Sequence, residues 1–138
     1  MREIKYIMVH CTDTPEGRAV TAEEVDQWHR QRGMMMIGYH YLVGLDGRTE
    51  HGRPLFMQGA ACPQGGANKH GIHVCYVGGR NSRGETADTR TEEQKATLWW
   101  LLCDLKKKFP KARIVGHRDF NKGKACPCFD VATTYRML

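Results

Sequence analysis

The sequence predicts an α/β fold: a single domain over residues 1–138, with a central mixed β-sheet flanked by helices. Three observations carry that expectation. Short apolar segments with strand-like alternation recur along the chain, two capping boxes open helical stretches between them, and no repeat, low-complexity tract or Pro-rich linker divides it. A chain of 138 residues, 41% hydrophobic, removes about two-thirds of its unfolded surface from water as one unit, which supports a core without covalent staples.

Ile4 to Cys11 alternates and ends in an apolar, β-branched cluster, so it reads as a strand that leaves His10 at its end and runs into a polar turn, Thr12 to Gly17. Thr21-Ala22-Glu23-Glu24 is a capping box, in which the Thr hydroxyl and the Glu three residues later satisfy each other's free backbone donors. It opens a helix to about Arg32, stopped by Gly33, that buries Val25, Trp28 and part of His29. Ile37 to Leu45 is a second strand, placing Tyr39 and Tyr41 on one face and His40 on the other. Asp46-Gly47 turns it into a short strand, Arg48 to His51, as a hairpin.

Residues 54–70 hold Gly, Ala, Pro, Asn and Cys without a period and read as a long surface loop lining a site. Ile72 to Val77, closed by Gly78-Gly79, has the apolar density of a central strand. Thr91-Glu92-Glu93-Gln94 is a second capping box, opening a helix to about Lys108 whose Leu98, Leu101, Leu102 and Leu105 form a buried stripe. Trp99 and Trp100 read as core and boundary packing. Arg113 to Gly116 is the last strand, followed by a loop rich in Lys, Gly, Cys and Pro and a short helix capped by Asp130.

The charge balance, 21 Lys and Arg against 15 Asp and Glu, favours an anionic partner through long-range attraction. The cations are scattered apart from Lys106-Lys107-Lys108, which suit the negative pole of a helix end as solvated surface. No helix-turn-helix, zinc finger or RNA-stacking motif accompanies them, so a nucleic-acid partner is not expected. The N-terminal residues mix charge with apolar side chains, unlike the continuous core of a secretory signal, and no stretch approaches ~20 apolar residues. The expectation is synthesis in the cytoplasm, no membrane insertion and a monomer. In that setting the six cysteines are expected to be reduced or spent on metal, with Cys62 and Cys75 the pair to check for a disulfide.

A hydrolytic zinc site takes three protein ligands and keeps one position open for water. His10, His117 and Cys126 suit it, lying at strand ends or in loops, although their spacing matches neither a His-Glu-x-x-His helix nor paired Cys-x-x-Cys knuckles. Read as isolated residues, the histidines also fit satisfied core positions and Lys124 a solvated loop lysine.

An ordered set of segments narrows these alternatives. Ile7-Met8-Val9-His10-Cys11-Thr12 is followed by Gln27-Trp28-His29, Ile37-Gly38-Tyr39-His40-Tyr41, Asp46-Gly47, Val74-Cys75-Tyr76-Val77-Gly78-Gly79, Gly116-His117-Arg118, Lys124-Ala125-Cys126-Pro127 and Phe129-Asp130. From about residue 6 to 130 the chain resembles the N-acetylmuramoyl-L-alanine amidases of the peptidoglycan-recognition fold, and is similar to the short zinc amidases called lysozymes in some tailed phages. The resemblance implies one Zn2+ per chain on His10, His117 and Cys126, with Tyr39 and Lys124 assisting catalysis. It also implies hydrolysis of the amide between N-acetylmuramic acid and L-alanine in peptidoglycan, reached after holin-, lysis- or secretion-dependent release. A non-catalytic peptidoglycan-binding module and a cytosolic muropeptide-recycling amidase are the neighbouring readings. Cys128, two residues from Cys126, is an alternative ligand or a partner for another thiol, and no carboxylate stands out as general base. Relatives often carry a His-Asn or Asn-Ser pair facing the cleft before the third strand, where this chain reads Asn68-Lys69-His70-Gly71-Ile72-His73, so the expectation is either that His70 or His73 stands in for that contact or that the cleft prefers a different stem peptide.

Overall fold

A computed structural model describes all residues, 1–138. The chain runs β1 (Tyr6–Cys11), β2 (Thr14–Pro15), α1 (Ala22–Gln31), β3 (Tyr41–Val43), β4 (Thr49–His51), a 3₁₀ turn (Gln64–Gly66), α2 (Ala67–His70), β5 (Gly71–Tyr76), β6 (Gly79–Arg80), α3 (Glu92–Lys108), β7 (Arg113–Gly116), α4 (His117–Phe120) and α5 (Val131–Thr134). The main sheet has the order β4-β3-β5-β1-β7. β1 pairs in parallel with both β5 and β7, β3 pairs in parallel with β5, and the β3–β4 hairpin supplies the antiparallel edge, giving the expected mixed α/β sheet.

Period-two alternation gives the sheet two apolar faces. Ile7, Val9 and Cys11 of β1 join Ile72, Val74 and Tyr76 of β5 and Tyr41 and Val43 of β3 under Leu98, Leu102 and Leu105 of α3. Each such fully buried leucine contributes about 1.5–3 kcal/mol. On the other face Leu42 and Cys75 meet Val25 of α1, and Met8 packs with Cys62 and Ala67. Gln94 is wholly buried in α3, and its amide donates to the carbonyls of Val43 (3.2 Å) and Val77 (2.9 Å), so it docks the helix without leaving a polar group unpaired. Both capping boxes form as their sequences require.

Several expectations are corrected. The second strand is confined to Tyr41–Val43, because the Gly38 carbonyl turns aside to accept from Ala60 N–H and the Gly38 backbone lies too close to Ala60 for any side chain. Tyr39 and Tyr41 therefore do not share a face: Tyr41 enters the core beneath α3, whereas Tyr39 packs on the α1 side. His29 is buried outright and Trp28 only in part. Leu101 is only half-buried where it packs against the edge of the core, and Trp100, 68% exposed, lies outside it. The polar turn contains β2, which pairs with β6, and the loop 54–70 carries the 3₁₀ turn and α2. All six cysteines are free, and Cys62 and Cys75 sit in separate apolar clusters. No helix is long and apolar enough to cross a membrane.

Candidate metal centre

Register places the first two polar groups. β1 and β7 run in parallel with Val9 opposite Gly116, so the residues one step beyond, His10 and His117, stand side by side where the strands end. Their ring centroids are 4.7 Å apart. His117 is turned into the cleft by α4, whose start is closed by the Asp119 carboxylate accepting from Gly116 N–H at 2.8 Å.

Cys126 arrives on the loop after α4. That loop is pinned by three contacts: Arg118 N–H donates to the Cys126 carbonyl (2.8 Å), the buried Tyr76 hydroxyl donates to the Pro127 carbonyl (2.6 Å), and Cys11 N–H donates to the Cys126 sulfur (3.1 Å). One donor atom each from His10, His117 and Cys126 then lies within 4.8 Å of the others. Tetrahedral zinc bonds of 2.0–2.3 Å imply ligand separations of roughly 3.3–3.6 Å, so small side-chain adjustments bring this set onto one ion. Two imidazoles and a thiol are also the donor chemistry that zinc prefers. Cys128 departs from the cluster. Its backbone is left-handed (φ 72°), and its sulfur turns toward the Cys11 sulfur (3.9 Å) and the Gly79 carbonyl (3.5 Å).

The cluster opens into a cleft of about 710 Å³ lined by Tyr39 and Lys124 and also by Arg32, Gln64, Asn68 and Arg80. Tyr39 is held by its backbone segment: Gly38 N–H donates to His29 Nδ1 (2.8 Å) and Ile37 N–H to Asp26 (2.7 Å). Its ring lies 5.2 Å from that of His10 and 5.3 Å from that of His29. Burial, reinforced by the neighbouring thiols of Cys75, Cys126 and Cys11, pushes its phenol well above the usual range. Lys124 is exposed at the cleft rim, and burial together with the Lys124 charge lowers His117.

The residues before β5 behave differently from expectation. His70 lies near the surface with Nδ1 at 3.0 Å from the Glu3 carbonyl, and His73 is fully buried behind His10, their ring nitrogens 2.8 Å apart. Neither lines the cleft; Asn68 does, with its carboxamide oxygen accepting from Ala61 and Cys62 N–H at 2.8 Å each. Burial lowers His73 to about 3 and His40 to about 4, and burial together with the surrounding histidines holds His10 well below the usual imidazole range. Sequence reading missed Arg32 and Arg80 at the cleft, since isolated arginines carry no local signal of their destination.

Comparison with known proteins agrees with this architecture. The endolysin of Enterobacteria phage K11 is 35% identical over 130 residues, covering 94% of this chain and 84% of the relative. Among solved structures, the N-acetylmuramoyl-L-alanine amidase LysC from Clostridium intestinale superimposes with a TM-score of 0.76 at 26% identity, over 91% of this chain and 77% of that one. PGRP-SA of bumblebee shares the fold, with a TM-score of 0.78 at 23% identity over 99% of this chain and 82% of its own. The family model described as N-acetylmuramoyl-L-alanine amidase matches residues 1–129. The chain belongs to the N-acetylmuramoyl-L-alanine amidase family.

Proposed function

We propose that residues 1–138 form one zinc-dependent amidase domain that hydrolyses the bond between N-acetylmuramic acid and L-alanine in peptidoglycan. His10, His117 and Cys126 hold one Zn2+, and Tyr39 and Lys124 act on the substrate. The observation that carries this reading is the convergence of those three donor atoms within 4.8 Å, at the base of a cleft also lined by Tyr39 and Lys124.

Zinc bound there supplies Lewis acidity, which polarises a carbonyl and makes water nucleophilic near neutral pH. The Lys124 ammonium stabilises the negative charge that develops on the amide oxygen. The Tyr39 phenol, steadied against His10 and His29, donates a hydrogen bond that orients the reacting groups. Arg32 and Lys124 give the cleft a cationic rim suited to an anionic sugar-peptide, while the charge of Arg80 is paired with Asp13 at 2.7 Å. The likeness to a phage endolysin supports a lytic role; action as a monomer after release from the cytoplasm belongs to the same proposal.

The test is metal content and product analysis together, using purified sacculi. Near-stoichiometric zinc with stem peptides freed at L-alanine supports the reading. Zinc without cleavage replaces it with a peptidoglycan-binding module, and cleavage confined to soluble muropeptides replaces it with a recycling amidase.

A further inference from the structure

We infer that His73 is a positioning residue for His10: it selects the His10 tautomer and leaves Nδ1 as the nitrogen that faces His117 and Cys126. The inference rests on the proposed metal reading and concerns a residue that does not line the cleft.

A backbone carbonyl can only accept a hydrogen bond. His73 Nε2 lies 2.9 Å from the Ala67 carbonyl oxygen, so Nε2 carries the proton. The ring is fully buried and its polar side-chain partner is another buried imidazole, surroundings that favour a neutral ring. Nδ1 of His73 is then a bare acceptor. At 2.8 Å from it, His10 Nε2 must be the donor and carry the His10 proton. A nitrogen committed to that bond is unavailable to a metal, and His10 Nδ1 keeps the free lone pair.

The His73 ring has little freedom to do otherwise. A Cβ at Gly59 would lie 2.5 Å from its Cδ2, and one at Gly71 would lie 2.9 Å from its Nε2, so two glycine backbones close on the ring. The backbone N–H of His73 donates to His40 Nδ1 (2.9 Å), and His40 Nε2 lies 2.8 Å from the Met57 carbonyl. His40 is therefore fixed as the Nε2–H tautomer by the same logic. An imidazole here does what a carbonyl or carboxylate commonly does behind a ligating histidine: it accepts the proton of the non-ligating nitrogen.

Long-range ¹H–¹⁵N spectra of the zinc-free wild type should show protonated Nε2 and bare Nδ1 on His10 and His73. A proton on His10 Nδ1 overturns the inference whether or not zinc binds. The expected tautomers in a protein that takes up no zinc support the relay while sinking the metal reading. The variants His73→Leu and His73→Gln add a second measure. Removing the acceptor in H73L should weaken zinc about 10–100-fold with the fold retained, whereas the H73Q amide, which can accept from His10 and donate to Ala67, should stay within about threefold. Equal zinc affinity in folded H73L and wild type overturns the inference. If H73L does not fold, a tenfold or greater loss in folded H73Q does so instead.

Discussion

The backbone N–H of Cys11 points at the sulfur of Cys126 from 3.1 Å, joining the end of β1 to a loop 115 residues later. His10, the neighbour of Cys11, is thereby held in register with the third member of the cluster, so the loop and the strand position the site as one unit.

Cys126→Ser should lose bound zinc and fall to background activity, while Cys128→Ser keeps both, because the Cys128 sulfur faces Cys11 and Gly79 instead of the histidine pair. Elemental analysis alongside muropeptide release checks this. Retention of zinc by C126S, with loss in C128S, would exchange their roles.

Lys124→Ala should lower kcat by about 10²–10³-fold while zinc content stays unchanged, as expected for a group that meets charge developing in the transition state. Its exposed side chain makes a stability change beyond about 0.5 kcal/mol unexpected. Steady-state kinetics paired with thermal melts separates the two effects.

Acid sensitivity should trace in part to Asp88. Burial raises its carboxyl, but the Arg90 guanidinium, bonded to both oxygens at 2.9 Å, outweighs this and holds it below the usual range. Arg90 itself stacks over Phe129 at 3.5 Å from the ring centroid. A depressed folded-state value means stability that is fully present above the unfolded value of about 3.9 and is lost as pH falls through the folded one. Asp88→Asn should therefore cost roughly 1–2 kcal/mol at pH 7, discounted for partial exposure, with the difference vanishing in strong acid. Denaturant melts across pH measure it directly.

Two neighbours on α3 should respond oppositely to truncation. Leu102→Ala, at a fully buried position, is expected to cost about 2–5 kcal/mol. Trp100→Ala, at a site 68% exposed, should stay within about 0.5 kcal/mol. Urea midpoints of the two variants provide the comparison.

Where local physics dominates, the chain is readable. Thr21 with Glu24 and Thr91 with Gln94 announce the two long helices because a cap involves groups only three residues apart. The alternation of Ile7, Met8 and Val9 announces β1 because side-chain period follows from strand geometry. The segment 37–40 misleads for the complementary reason: its apolar pattern looks like strand, but Gly38 is bent by contact with Ala60, a partner 22 residues away. Trp100 misleads because helix periodicity specifies a face and leaves open how far the sheet beneath extends.

The donor types needed for a zinc site, imidazole and thiol at strand ends and in a Cys-Pro loop, are written in the chain and survive any reading of its neighbours. Which of the seven histidines serve which purpose is a matter of tertiary packing. Parallel register sets His10 beside His117, the pinned loop brings Cys126 and turns Cys128 away, and the pairing of β5 with β1, His73 opposite Met8, sets His73 against His10 instead of in the cleft. Those assignments depend on contacts separated by 63 to 117 residues, and distances of that kind are determined by how the sheet closes, which no local pattern encodes.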